Sequence, residues 1–117
     1  MKALLGLVFA ITLGVMTLGA ATLGTSGLAL AQEGDVAAGK AYATAICADC
    51  HAIRPSEGNS PLLDAPNFQS VADMPGMTDL ALSVWLQTSH PTMPNIILEQ
   101  DDMRNVIAYI RSLQGKG

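Results

Sequence analysis

Cys47-Ala48-Asp49-Cys50-His51 constrains this 117-residue chain more than any other stretch. On a helical turn, positions i, i+3 and i+4 fall on one face. Two thiols and an imidazole are then presented together by a single turn of backbone. Any fold the chain adopts has to be built around what those three groups hold.

Two cysteines three apart with a histidine directly after the second form the attachment signature for c-type haem. Both sulfurs reach the vinyl groups on one side of a porphyrin, and the imidazole of His51 points at the iron. Competing readings are a disulfide, half of a zinc site, or chance. A structural zinc site takes four ligands in paired clusters, whereas this chain offers two cysteines and two histidines, and His90 lies alone far downstream. A thioredoxin-like pair wants a βαβ context, which the sequence lacks.

The start of the chain reads as a separate element. Met1-Lys2 is a minimal positive region, followed by an apolar run from Ala3 to about Leu23. Ala29-Leu30-Ala31 then gives a small-residue cleavage signal just before the polar Gln32-Glu33-Gly34-Asp35. Residues 1–31 are therefore expected to be a signal peptide and 32–117 one small domain. The alternative is an uncleaved anchor, since the run approaches a membrane span in length. Export agrees with the motif, because haem is joined to such cysteines outside the cytoplasm; the expected location is the periplasm. A domain this small is marginal on apolar burial alone and usually needs a staple. A covalently held porphyrin would supply one.

Without Lys2, the domain keeps one fewer than the chain's 6 basic residues, against all 10 acidic ones. So acidic a domain does not suit nucleic acid. It also has little counterpart to a lysine collar, since only Lys40 and Lys116 remain.

Helical periodicity dominates the domain, and strand signals are weak. Asp35 is a good N-cap for a first helix running to the cysteine motif. Gly39 inside it costs about 1 kcal/mol relative to alanine, which suggests close approach of another element. Residues 52–77 read as loop, punctuated by Pro55, Gly58, Pro61, Pro66, Pro75 and Gly76, with room for a helical turn near 67–72. Thr78 caps a third segment ending near Ser89, with Asp79 in its first turn and Leu80, Val84 and Trp85 as its apolar stripe. His90-Pro91-Thr92-Met93-Pro94-Asn95 is a second loop. The last helix has Asp101 and Asp102 at its start, Arg111 and Lys116 at its end, and Met103, Val106, Ile107, Ile110 and Leu113 on one face.

An iron held by one histidine needs a sixth ligand or an open position, and that choice separates electron transfer from ligand binding or catalysis. Met103 belongs to the last helix's apolar face. Met74 and Met77 flank Pro75-Gly76 and remain alternatives. Met93 is better placed, in a proline-bracketed loop far enough along the chain to reach the opposite face of a porphyrin. Trp85 reads as core, or as a ring packed on the cofactor with its indole N–H to a propionate. His90 reads as exposed near the ligand loop, or as an alternative ligand.

Gly34-Asp35-Val36 through Gly39-Lys40 and Cys47–His51, then Ala65-Pro66-Asn67-Phe68, Met93-Pro94-Asn95 and Val106-Ile107-Ala108-Tyr109-Ile110, resemble a small bacterial class I c-type cytochrome over essentially the whole domain. The resemblance implies an all-α cytochrome c fold of three to four helices wrapped around one haem c. It implies thioethers from Cys47 and Cys50 and axial ligation by His51 and Met93. The Pro66 carbonyl would accept a hydrogen bond from the other nitrogen of His51. Gly39 would meet the Tyr109 ring where first and last helices cross. Ala43 departs from the pattern, standing where many members carry an aromatic, with Tyr42 as the residue that could compensate. The short stretch between His51 and Met93 matches the compact bacterial subgroup.

The function implied is that of a soluble, non-enzymatic carrier of single electrons between redox proteins, as a monomer or in a weak complex. A second reading is a haem subunit bound to a periplasmic dehydrogenase or terminal oxidase. A third is a gas-binding or peroxidatic protein, which requires Met93 to be off the iron. Once the signal is cleaved, no stable membrane insertion is expected.

Overall fold

In the computed structural model, residues 33–117 are described, and they form four α-helices and no strand. The expected signal peptide, residues 1–31, lies outside the described residues. No helix among the described residues is long and apolar enough to cross a membrane.

Helix α1 spans Val36–Tyr42 and starts where the sequence places its cap, with the Asp35 carboxylate accepting from the Ala38 N–H. It does not run into the cysteine motif as a plain α-helix. Ala43–Cys47 is a π-helical stretch, closed by the Ala48 N–H donating to the Ala43 carbonyl five residues back at 3.0 Å. Insertions of this kind cluster at functional sites because they re-aim the residues that follow. The turn itself is as the spacing predicts, with the Cys50 and His51 N–H groups both donating to the Cys47 carbonyl, at 3.1 and 2.9 Å.

Helix α2, Phe68–Asp73, is capped by the Asn67 side chain accepting from the Ser70 N–H. Helix α3, Asp79–Gln87, is capped by the Thr78 hydroxyl accepting from the Ala81 N–H, and ends two residues before the expected Ser89. Helix α4, Gln100–Ser112, has Asp101 and Asp102 in its first turn and Arg111 in its last. Arg111 also joins elements: its guanidinium donates to the Met77 carbonyl at 2.6 Å and pairs with Asp79 at 3.1 Å.

The other three helices all pack on α4. Val106, Ile107, Tyr109 and Ile110 are its buried residues, with Leu113 buried just past its end and Met103 half-buried at the margin. Tyr109 widens the face read from periodicity. Its hydroxyl donates to the Ile53 carbonyl at 2.9 Å, tying α4 to the chain just past His51. Where α1 crosses α4, a Cβ on Gly39 would overlap the Asn105 carbonyl and lie 2.9 Å from Tyr109 Cβ. The closest approach is thus to the Asn105 backbone, with the Tyr109 side chain next at its Cβ. Ala43, at the start of the π-helical stretch, is fully buried in the core.

The apolar stripe expected on α3 is corrected. Leu82 is the buried residue, whereas Leu80 is 73% exposed and Val84 is 52% exposed. At about 100° per residue, Leu80 lies nearly opposite Leu82, while Leu86 shares its row. The Leu82–Leu86 row packs on the core. Trp85 falls on the flank between the two.

Candidate cofactor site

One large cleft opens between the His51 turn, the 62–66 loop, α2 with the loop after it, α3, and residues 90–94. It encloses about 950 Å³ of empty space including its open mouth, and its walls are overwhelmingly apolar. The space a water-sized molecule can occupy inside it is about 250 Å³, just under the usual range of ligand pockets. Leu62, Val71, Leu82 and Pro94 supply much of the wall, with Asp64 the one carboxylate among the lining residues.

Cys50, His51, Pro66, Trp85 and Met93 all line this cleft. Cys47 does not. It sits one turn behind, packed against the edge of the core, where burial first and the neighbouring Cys50 second push its thiol up to about 11. A thiol so placed stays protonated at neutral pH. The two cysteines are not disulfide-bonded.

The His51 ring is fixed on both sides. Nδ1–H donates to the Pro66 carbonyl oxygen at 2.7 Å, which leaves Nε2 as the free lone pair. Its ring also lies 5.5 Å from that of Phe68, which in turn lies 6.5 Å from Tyr109. Backbone bonds secure the chain after it: the Ala52 N–H donates to the buried Ser60 hydroxyl at 3.0 Å, and the Ala52 carbonyl accepts from the Phe68 N–H at 2.9 Å. Ser60 escaped sequence reasoning, because a buried hydroxyl in a loop has no periodicity to announce it.

Met93 is half-buried, and the residue before it, Thr92, holds a left-handed backbone at φ 73°. Met74 and Met77 also line the cleft, Met74 half-exposed and Met77 packed against the core. Trp85 is 54% exposed rather than core. His90 is half-buried and lines the cleft, where an exposed position was expected. It meets the Trp85 ring edge-on, with centroids 5.4 Å apart.

The donor set fits haem c. His51, with Nδ1 engaged by a carbonyl, and Met93 offer the imidazole and thioether that a six-coordinate haem iron takes from protein, and Cys50 faces the same apolar space for attachment, whereas Cys47 stands outside it. Zinc finds no such support, since no cluster of three His, Cys, Asp or Glu residues able to hold a metal occurs among the described residues. No family model, curated protein or solved structure matches the chain.

Proposed function

We propose that this chain is an exported c-type cytochrome, with the cytochrome c fold, that passes single electrons between redox proteins. The observation that carries the reading is the shared apolar cleft in which a carbonyl-tethered His51 and the Met93 thioether both lie. Cys47 and Cys50 would anchor the group, and His51 and Met93 would hold the iron. Haem c, when bound, supplies a one-electron iron couple whose potential a thioether ligand raises.

The chain's own residues have simpler tasks. The Pro66 carbonyl orients the His51 imidazole and raises its basicity. The apolar walls exclude water and favour the less charged, reduced state. Met93 is chosen over Met74 and Met77 because prolines 91 and 94 stiffen its loop and because the family resemblance assigns it. Trp85 borders the mouth, where it would shield the cofactor's edge.

Leu62, 42% exposed, and Trp85 give the mouth an apolar rim. That rim supports the second reading, in which the same centre docks stably on a periplasmic dehydrogenase or oxidase. A charge-steered partner loses on-rate as salt rises, while apolar docking does not.

The deciding experiment is expression in a host able to attach haem c, with wild type beside Cys47→Ala/Cys50→Ala. For wild type, covalent haem, low-spin spectra in both oxidation states and a sulfur-to-iron charge-transfer band in the ferric protein are expected; the cysteine variant should lose covalent haem, and Met93→Ala should keep it but lose the band. A wild type free of haem ends the reading. Rapid binding of carbon monoxide by the ferrous protein would shift it to an open-site haem protein.

A further inference from the structure

We propose that His90 is a second iron donor of this site, competing with Met93 for the sixth coordination position. The inference rests on the haem reading above and adds a residue that the resemblance does not assign.

Three observations meet at His90. It lines the same cleft as His51 and Met93. Its Nδ1 lies 3.0 Å from the Thr88 carbonyl, so Nδ1–H donates and Nε2 keeps its lone pair. This repeats the arrangement at His51, whose Nδ1–H donates to Pro66, and a ligating histidine almost always has its second nitrogen held in this way. The Trp85 edge steadies the ring besides, at 78° between planes. Among the described residues, both histidines of the chain thus stand at one apolar cleft with the same nitrogen free.

Chain geometry links the two donors. His90 and Met93 sit in one short loop, and Thr92 between them holds a left-handed φ of 73°, costly for a β-branched residue. A change of backbone at Thr92 would alter how His90 and Met93 are presented to the cleft relative to each other. The exchange breaks an iron–sulfur bond and forms an iron–nitrogen bond, with no electron or proton changing hands. A thioether favours ferrous iron and an imidazole suits ferric iron, so His90 gains on Met93 in the oxidised protein.

The test uses the haem-loaded protein as Met93→Ala, His90→Ala and the double variant. Covalent haem on a denaturing gel is scored first, because its absence from wild type defeats the underlying reading and not this one. With haem present, ferric Met93→Ala is expected to be six-coordinate and low-spin, with a bis-imidazole electron paramagnetic resonance signal. The double variant is expected to be high-spin. Added imidazole should bind Met93→Ala about tenfold more weakly than the double variant, since an internal donor competes at high effective concentration. High-spin Met93→Ala, low-spin iron persisting in the double variant, or equal imidazole affinities would each overturn the proposal. Circular dichroism of the haem-loaded His90→Ala protein shows whether the loop survives the change, and the imidazole comparison holds even if Met93→Ala is less stable.

Discussion

Gly39 and Asn105 meet backbone to backbone where α1 crosses α4, with no room for a side chain between them. By helix propensity alone, alanine at position 39 would gain about 1 kcal/mol. The overlap with the Asn105 carbonyl runs the other way, and because backbone rather than a flexible side chain is in the path, the helices must part. Overpacking typically costs about 1–3 kcal/mol, so Gly39→Ala is expected to be a net destabilisation. Urea unfolding checks the sign, and a stabilised variant would show that the crossing is looser than described.

The Ser60 hydroxyl is the partner of a buried N–H one residue past His51. Ser60→Ala removes that partner and leaves the Ala52 N–H with nothing to donate to, at a cost of about 1–3 kcal/mol. The same change should slacken the His51 turn, seen as faster hydrogen exchange at Ala52. An effect on stability within about 0.5 kcal/mol, the range of ordinary surface changes, would mean that water replaces the serine.

The Tyr109 hydroxyl is bound to the Ile53 carbonyl, and burial pushes its pKa upward. Tyr109→Phe keeps the ring packed on Phe68 and strands a buried carbonyl, for an expected loss of about 1–2 kcal/mol. Because the folded-state pKa is raised, the tyrosine's contribution is complete below its ordinary value of about 10 and fades above it. The gap between wild type and Tyr109→Phe should therefore narrow at strongly alkaline pH.

What the sequence discloses depends on how local the cause is. Asp35 and Thr78 are legible as caps because a side chain bonds a backbone N–H three residues on. The α4 face is legible because thirteen residues are enough for a period to show. On the nine-residue α3, Leu80 and Val84 look as apolar as Leu82, and only the position of α4 decides which row is covered. At the site, the five-residue motif declares Cys50 and His51 directly. The bond from His51 to Pro66 spans fifteen residues of loop, and no spacing encodes it; the family resemblance alone pointed there. His90 was misplaced for a similar reason, since its contact with Trp85 arises from how the chain turns after α3.

Glu57 closes a tight loop directly after the Ala52 segment, and its exposed carboxylate accepts from the Ile53 and Arg54 N–H groups at 2.7 and 2.9 Å. The Arg54 N–H foremost, with the Arg54 guanidinium and the Ile53 N–H, holds its pKa below the ordinary carboxylate value against a smaller opposing effect of desolvation. A depressed folded-state pKa means that the unfolded chain takes up the proton first. Stability from Glu57 is therefore present above about pH 4.3 and lost as pH falls through the folded-state value. Glu57→Gln is expected to be less stable than wild type at neutral pH and to converge with it under acid. Parallel acid limbs in the two proteins would remove Glu57 from the balance.

Thr92 is the point where the loop carrying Met93 is under backbone strain. Asparagine tolerates the left-handed region far better than a β-branched residue, and strain of this kind costs about 1–3 kcal/mol. Thr92→Asn should recover about 1 kcal/mol of it, equivalent to a rise in Tm of about 4–8 °C for a domain of this size. If the strain also drives exchange between Met93 and His90, the ferric charge-transfer band should persist to higher temperature in Thr92→Asn than in wild type, beyond the shift in Tm. A band that fades in step with global unfolding in both proteins would separate loop strain from ligand choice. A variant less stable than wild type would show instead that the threonine makes contacts worth more than its strained φ.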